Sequence, residues 1–328
     1  MTGTKKISKI AGAALAFACA WGTLAGCTPG PQKESREERY TIGVVTKSKD
    51  SEYWMSVCSG MEKAAKDHGV SVKIISPDSE SDDKMQKKMI GDLIAEDVDA
   101  LAISPISSYD TSYLEAATGK GIRVVAYDTK IVADGIPYIG IDNRKAGEEL
   151  AAVMAEKLGN QGRVGIVTGD LRQTAHSERM EGIRSYIEEN TDIEVAFVES
   201  GYANLRISEA EISRIFSEYP DIGGIFATSG VTALGIRQYL GKSPVLVMTV
   251  DAQQDALTAV ERGELAALAD QSGYEIGYET VRFIVENREN ESVRLEDQIL
   301  DADILTKENI KSRETEDVSE EDVSEYEK

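Results

Sequence analysis

The chain has 328 residues, enough for about two domains. Its composition, 41% hydrophobic and 29% charged, is that of a globular protein rather than a collagenous or fully disordered one. A formal charge of −22 at pH 7 repels phosphate backbones and argues against a nucleic-acid partner. With three cysteines and two histidines, and no cysteine pair near either histidine, the sequence also argues against a disulfide-stapled body and a zinc site.

The first 26 residues read as a secretion signal. Lys5, Lys6 and Lys9 precede a small, apolar run from Ile10 to about Trp21 that is too short and glycine-interrupted to span a membrane comfortably. The segment ends in Leu24-Ala25-Gly26-Cys27, which resembles the lipobox of bacterial lipoproteins. That resemblance implies that Cys27 carries a diacylglycerol and becomes the new N-terminus, with acyl chains holding the protein on the cell membrane. Residues 27–39 are rich in proline and charge and read as a flexible tether. At the other end, residues 312–328 contain two copies of Glu-Asp-Val-Ser-Glu and read as a disordered acidic tail.

Between these ends, short apolar runs alternate with amphipathic stretches. Strands are predicted at 40–46, 70–76, 99–104, 122–128, 138–142, 163–169, 194–200, 223–229, 245–251 and 265–271, with a further short one near 298–305. Most are continuously apolar, the mark of parallel strands covered on both faces. Helices are predicted at 56–68, 81–96, 144–158, 176–189, 208–217, 231–240 and 273–287. In 81–96, Met85, Met89, Leu93 and Ile94 recur at helical spacing and are expected to face the core. Cys58 is expected to be a packed, inert thiol. The pattern predicts an α/β fold whose parallel sheets split into two lobes.

Ligands of such sheets sit beyond the carboxyl ends of the strands. Those positions hold Lys-Ser-Lys-Asp-Ser-Glu-Tyr-Trp after the first strand, Asp128 and Thr129 after the fourth, and a segment containing His176 and Ser177 after the sixth. Later strands end in Thr228 and Ser229, in Asp251, and in Asp270 and Gln271. No glycine-rich phosphate cradle and no nucleophile elbow is present, which argues against an enzyme of the Rossmann class and against a bound cofactor. Carboxylates, amides and aromatic rings together suit a neutral polyol: they share protons with hydroxyls and cover the C–H face of a sugar ring.

Eight ordered segments, from Thr-Ile-Gly-Val-Val-Thr at residue 41 to Leu-Ala-Ala-Leu-Ala-Asp-Gln at residue 265, make the body resemble the ribose- and galactose-type solute-binding proteins. These are the sugar-binding branch of the type I periplasmic binding proteins. The resemblance implies two Rossmann-like lobes joined by a three-strand hinge: residues 40–142 plus 272–298, and residues 143–271 plus 299–311. It implies ligand contacts from Tyr53, Trp54, Asp128, Asp251 and Gln271, with Ser51, Ser229, His176, Ser177 and Thr129 around them. Thr129 and Ser177 stand where the family carries arginines, so the loss of two strong donors is expected. The implied activity is binding without chemistry. A monomer would close on a sugar or sugar-like polyol and deliver it to an ABC importer. Engagement of a sensor kinase or chemoreceptor is the alternative. A repressor of the LacI type shares this body but needs an N-terminal helix-turn-helix, where the signal stands.

Overall fold

The computed structural model describes residues 39–49, 51–200, 207, 209–290 and 294–313. The signal, Cys27, the tether and the acidic tail from Glu314 lie outside the described residues.

Two six-stranded sheets organise the chain. The first is built from β1 (Thr41–Val45), β2 (Ser71–Ile75), β3 (Ala100–Ile103), β4 (Arg123–Tyr127) and β5 (Tyr138–Ile141), with α1 (Glu52–His68), α2 (Asp83–Ala95) and α3 (Leu114–Gly119) in the crossovers. The chain then passes to the second sheet through α4 (Asn143–Leu158). That sheet takes β6 (Gln161–Val167), β7 (Asp192–Glu199), β8 (Gly224–Ala227), β9 (Leu246–Val250) and β10 (Ala267–Asp270). Its crossovers are α5 (Thr174–Asn190), α6 (Glu209–Glu218), α7 (Gly230–Leu240) and α8 (Gln254–Arg262). Helix α9 (Gly273–Glu286) returns to the first sheet, followed by β11 (Gln298–Leu300), β12 (Asp303–Leu305) and a last turn α10 (Ile310–Arg313).

The strand orders are β11-β5-β4-β3-β1-β2 and β12-β10-β9-β8-β6-β7. They are the same winding twice, each reversing direction beside its first strand, and the reversal opens a crevice at the carboxyl ends. All pairings are parallel except that of β12 with β10. Three connections cross between the sheets: near Asp142, near Gln271–Ser272, and between β11 and β12. Because β11 pairs with β5, the last crossing falls after Leu300, two residues later than the sequence boundary at 298.

Both faces of each sheet are covered, which is why the strands read as unbroken apolar runs. In the first lobe, Ile42, Val44, Ala102 and Val125 face α1 and α9, while Val45, Leu101, Ile103 and Val124 face α2 and α3. In the second, Ile166, Phe226 and Met248 face α4 and α5, while Val167, Ile225 and Val247 face α6, α7 and α8. Each fully buried Ile, Val or Leu contributes about 1.5–3 kcal/mol. The helix pairs α1/α9 and α4/α5 approach to backbone contact. A methyl at Gly277 would fall on the Val57 carbonyl, and one at Gly182 on the Arg144 carbonyl, so only glycine allows either pair to close.

All ten firm strand predictions are present, each shifted by at most three residues. The helices differ in three ways. Helix α1 begins at Glu52, four residues before the predicted start, so Tyr53 and Trp54 lie in its first turn rather than in a loop. In α2 the buried residues are Gln86, Ile90, Leu93 and Ile94, and Met85 is 40% exposed. Gln86 earns burial by donating to the Thr46 and Ser104 carbonyls and accepting from the Ile106 amide, tying β1 to β3. The short helices α3, α8 and α10 had no counterpart in the sequence reading.

Candidate functional site

The carboxyl ends of the two sheets face each other, and the aspartates ending β4 and β9 meet across the crevice. Asp128 has φ +60° and Asp251 φ +83°, a left-handed conformation that aspartate tolerates better than most side chains. Both are buried and line one small cavity, with a free volume of about 30 Å³.

On the first-lobe side Asp128 accepts four donors. Tyr53 Oη donates to Oδ1 at 2.8 Å, while Ser104 Oγ and Thr129 Oγ1 each donate to Oδ2 at 2.9 Å. Lys47 Nζ lies 2.9 Å from the same Oδ2 and donates to Thr129 Oγ1 at 2.6 Å. Burial alone would raise the Asp128 carboxyl. The Lys47 ammonium, the Arg179 guanidinium and the hydrogen bonds outweigh burial and hold it at about 2. Trp54 is not a loose surface ring: it is 3% exposed, edge-on to Tyr53 with centroids 5.1 Å apart, and its Nε1 donates to Glu80 Oε1 at 3.0 Å. Burial pushes the Glu80 carboxyl up, against the pull of Lys47.

On the second-lobe side Arg179 is the organiser. Its Nε donates to Asn143 Oδ1 at 2.8 Å, Nη1 to the Thr228 carbonyl at 2.9 Å and Nη2 to Gln271 Oε1 at 3.1 Å. Gln271 in turn donates from Nε2 to Asp251 Oδ1. Burial raises the Asp251 carboxyl, and the charge on Asp128 adds to the effect, while Arg179 opposes it. His176 pairs its Nδ1 with Thr228 Oγ1 at 2.7 Å, and burial with the nearby Arg179 and Lys47 charges keeps its pKa well below the usual range. The imidazole is therefore neutral at pH 7.

The lobes touch directly around this core. The Thr174 amide donates to Ser108 Oγ at 3.0 Å, the Ser108 amide to the Arg172 carbonyl at 3.0 Å, and the Gln254 amide to Glu52 Oε2 at 3.1 Å. The conformation is a closed one. Ligand pockets usually hold ~300 Å³ or more, so a sugar enters only if the lobes part or the resident side chains exchange partners.

Of the residues singled out from sequence, Ser51, Tyr53, Trp54, Asp128, His176, Ser229, Asp251 and Gln271 line this cavity. Two do not. Ser177 turns its hydroxyl to the Thr174 carbonyl, one helical turn back, and Thr129 stands behind Asp128, where it holds Lys47. Lys47, Glu80, Arg179 and Gln253 also line it; the sequence reading placed Lys47 after the first strand without giving it a contact, and assigned no contact to the other three. Two cations nevertheless stand near the positions where donors were expected to be lost: Lys47 reaches Thr129 from the end of β1, and Arg179 lies two residues beyond Ser177. Lys47 and Glu80 both follow strands, so the strand-end rule reaches them once it is applied to β2 as well. Asp142 caps α4 by accepting from the Lys145 amide, whereas Asn143 faces inward to Arg179.

Among the described residues no group of three His, Cys, Asp or Glu is placed to hold a metal ion, and no helix is long and apolar enough to cross a membrane. Cys58 is half-buried, and burial pushes its thiol up to about 11, in keeping with an inert packed residue.

Comparisons with known proteins agree with this fold. The family model for the periplasmic binding protein domain matches residues 42–291. A ribose import binding protein of Bacillus subtilis is 29% identical over 251 residues, covering 75% of this chain and 81% of its own length. A D-allose-binding periplasmic protein of Escherichia coli is 27% identical over 258 residues, covering 74% and 83%. Among solved structures, a solute-binding protein of Burkholderia graminis in complex with D-arabinose is 25% identical, covers 83% of this chain and 96% of its own, and superposes with a TM-score of 0.77. The XylFII–LytSN complex contains a chain 25% identical, covering 82% and 98%, with a TM-score of 0.74. The chain belongs to the periplasmic binding protein family and has its type I fold of two parallel-sheet lobes.

Proposed function

We propose that this protein is an extracytoplasmic binding protein that closes its two lobes on a sugar and presents it to an ABC importer, performing no chemistry itself. The observation that carries the reading is the convergence of acceptors and donors from both lobes on one buried point. Asp128, Lys47 and Tyr53 come from one side, and Asp251, Gln271 and Arg179 from the other. A polyol can replace the resident Tyr53–Asp128 and Gln271–Asp251 bonds with its own hydroxyls, satisfying both carboxylates at once. A ligand that touches both lobes favours the closed state by its differential affinity for it. The names of the ribose- and allose-binding relatives support the sugar class.

Lipid attachment at Cys27 is part of the proposal and rests on the Leu-Ala-Gly-Cys pattern. Delivery to a sensory partner is the second reading, favoured by the likeness to the XylFII–LytSN complex.

A thermal-shift panel of pentoses, hexoses, polyols, nucleosides and amino acids tests the ligand class. One sugar or polyol class should raise the melting temperature, rising with the logarithm of concentration and reaching about 2.7 kcal/mol of stabilisation at a hundredfold excess over Kd. Stabilisation by amino acids or nucleosides alone would replace the ligand class, and no stabilisation by any sugar would contradict it.

A further inference from the structure

We propose that the segment Arg172-Gln173-Thr174, outside the sugar cavity, is a closure latch that tunes affinity: its bonds to Ser108 and Lys130 hold the lobes together, and the buried amide of Gln173 opposes them. This deepens the sugar-binding reading above and rests on it.

Ser108 and Lys130 belong to the first lobe, after β3 and β4, and the segment belongs to the second, between β6 and α5. The Ser108 amide donates to the Arg172 carbonyl at 3.0 Å, and the Thr174 amide donates back to Ser108 Oγ at 3.0 Å. Ser108 Oγ in turn donates to Thr174 Oγ1 at 3.3 Å, and the Lys130 amide donates to the same Oγ1 at 3.1 Å. Ser108 and Thr174 are both buried, so these bonds are shielded from water. None of these residues borders the cavity between Asp128 and Asp251. The latch and the sugar site are therefore separate sets of side chains.

Between the two latch residues of the second lobe stands the opposing element. Gln173 is 0% exposed, and neither its Nε2 nor its Oε1 has a hydrogen-bond partner among the described residues. It stands at the N-cap of α5, yet its side chain caps nothing. An amide buried in this way has lost its water without replacement, a cost that native structures seldom carry. Its chain neighbours on both sides bond to the first lobe. Parting the lobes uncovers the segment and returns the amide to water. The closed form thus gains from Ser108 and loses from Gln173, and neither group meets the sugar. Where the form competent to hold a ligand is the minor one, apparent affinity scales with its population, so each change in this balance passes directly into Kd.

The test compares wild type, Ser108→Ala and Gln173→Met by calorimetric titration with D-ribose and D-allose, by small-angle scattering of the sugar-free protein and by urea unfolding. For the sugar that the wild type binds, Ser108→Ala leaves the Thr174 amide without its acceptor in the closed form and should weaken binding about tenfold. Gln173→Met fills nearly the same space without polar atoms and should tighten binding about tenfold. Without sugar, Gln173→Met should have a smaller radius of gyration than Ser108→Ala. Affinities of both variants within about twofold of wild type, or weaker binding by Gln173→Met, would overturn this inference and leave the sugar reading standing. So would a Gln173→Met protein that gains stability in urea at unchanged affinity, because the amide would then be equally costly in the open and closed forms. If neither sugar binds the wild type, the sugar reading loses its support and scattering alone decides the latch: a smaller radius for Gln173→Met would support it, and identical radii would overturn it.

Discussion

Asp128 and Asp251 end equivalent strands of two lobes with the same winding, both in the left-handed region, yet their carboxyls are shifted in opposite directions. The difference lies in their neighbours. Asp128 has an ammonium in direct contact and three hydroxyl donors; Asp251 has an amide, the Gly230 amide at 3.4 Å, and a guanidinium already engaged elsewhere. One lobe thus presents a committed anion with its counter-ion. The other presents a less stabilised carboxylate that gains more from a new donor. Buried ion pairs seldom add much net stability, but removing one partner is costly, so the first aspartate is the structural member and the second the responsive one.

The comparison can be broken most forcefully at Lys47. Lys47→Met leaves Asp128 buried without its counter-ion and should cost about 3–5 kcal/mol in urea unfolding. A loss below 1 kcal/mol would mean the pair carries no such weight. The lobes should behave alike in the helix pairs behind the site. Gly277→Ala in α9 and Gly182→Ala in α5 should each cost about 1–3 kcal/mol by forcing a methyl onto a backbone carbonyl. Asp251→Asn should be nearly neutral in stability, within about 1 kcal/mol, because it removes a carboxylate that burial disfavours.

Acid titration sharpens the contrast further. The folded-state pKa of Asp128 is depressed, so its contribution is complete above the unfolded value near 4 and is lost as pH falls toward about 2. The stability difference between wild type and Asp128→Asn should be flat above pH 4 and narrow below it. A difference that narrows already between pH 7 and 5 would assign the titration elsewhere. The smallest effect concerns His176, whose folded-state pKa is lowered from 6.5. It should make the wild type lose stability as pH falls below 6.5, by at most about 1.4 kcal/mol per pH unit, and His176→Gln should remove that slope.

The fold was legible because its strands are buried on both faces. A continuous run such as Ala100–Ile103 has no other easy home, and ten such runs fix the class. The start of α1 was not legible: Ser51 makes no side-chain cap, and Tyr53-Trp54 amid charges looks like loop until the rings are seen between Asp128 and Glu80. Helices α3 and α8 escaped because each is short, nine residues or fewer, with little room for a periodic pattern. At the site, positions that end strands were readable one by one. The exchange of charge carriers was not, since Lys47 and Thr129 are 82 residues apart and only the pairing of strands brings them together.

The central claim is that a sugar is held at one point by both lobes. In protein lacking residues 1–26, Trp54 of the first lobe is the sole tryptophan, and Asp251 belongs to the second. The decisive measurement is a sugar titration followed by Trp54 emission in wild type and in Asp251→Asn. The account predicts a saturable emission change whose midpoint moves about a hundredfold higher in the variant, the cost of a lost charged hydrogen bond. Binding that leaves Trp54 silent and is indifferent to Asp251 would contradict it.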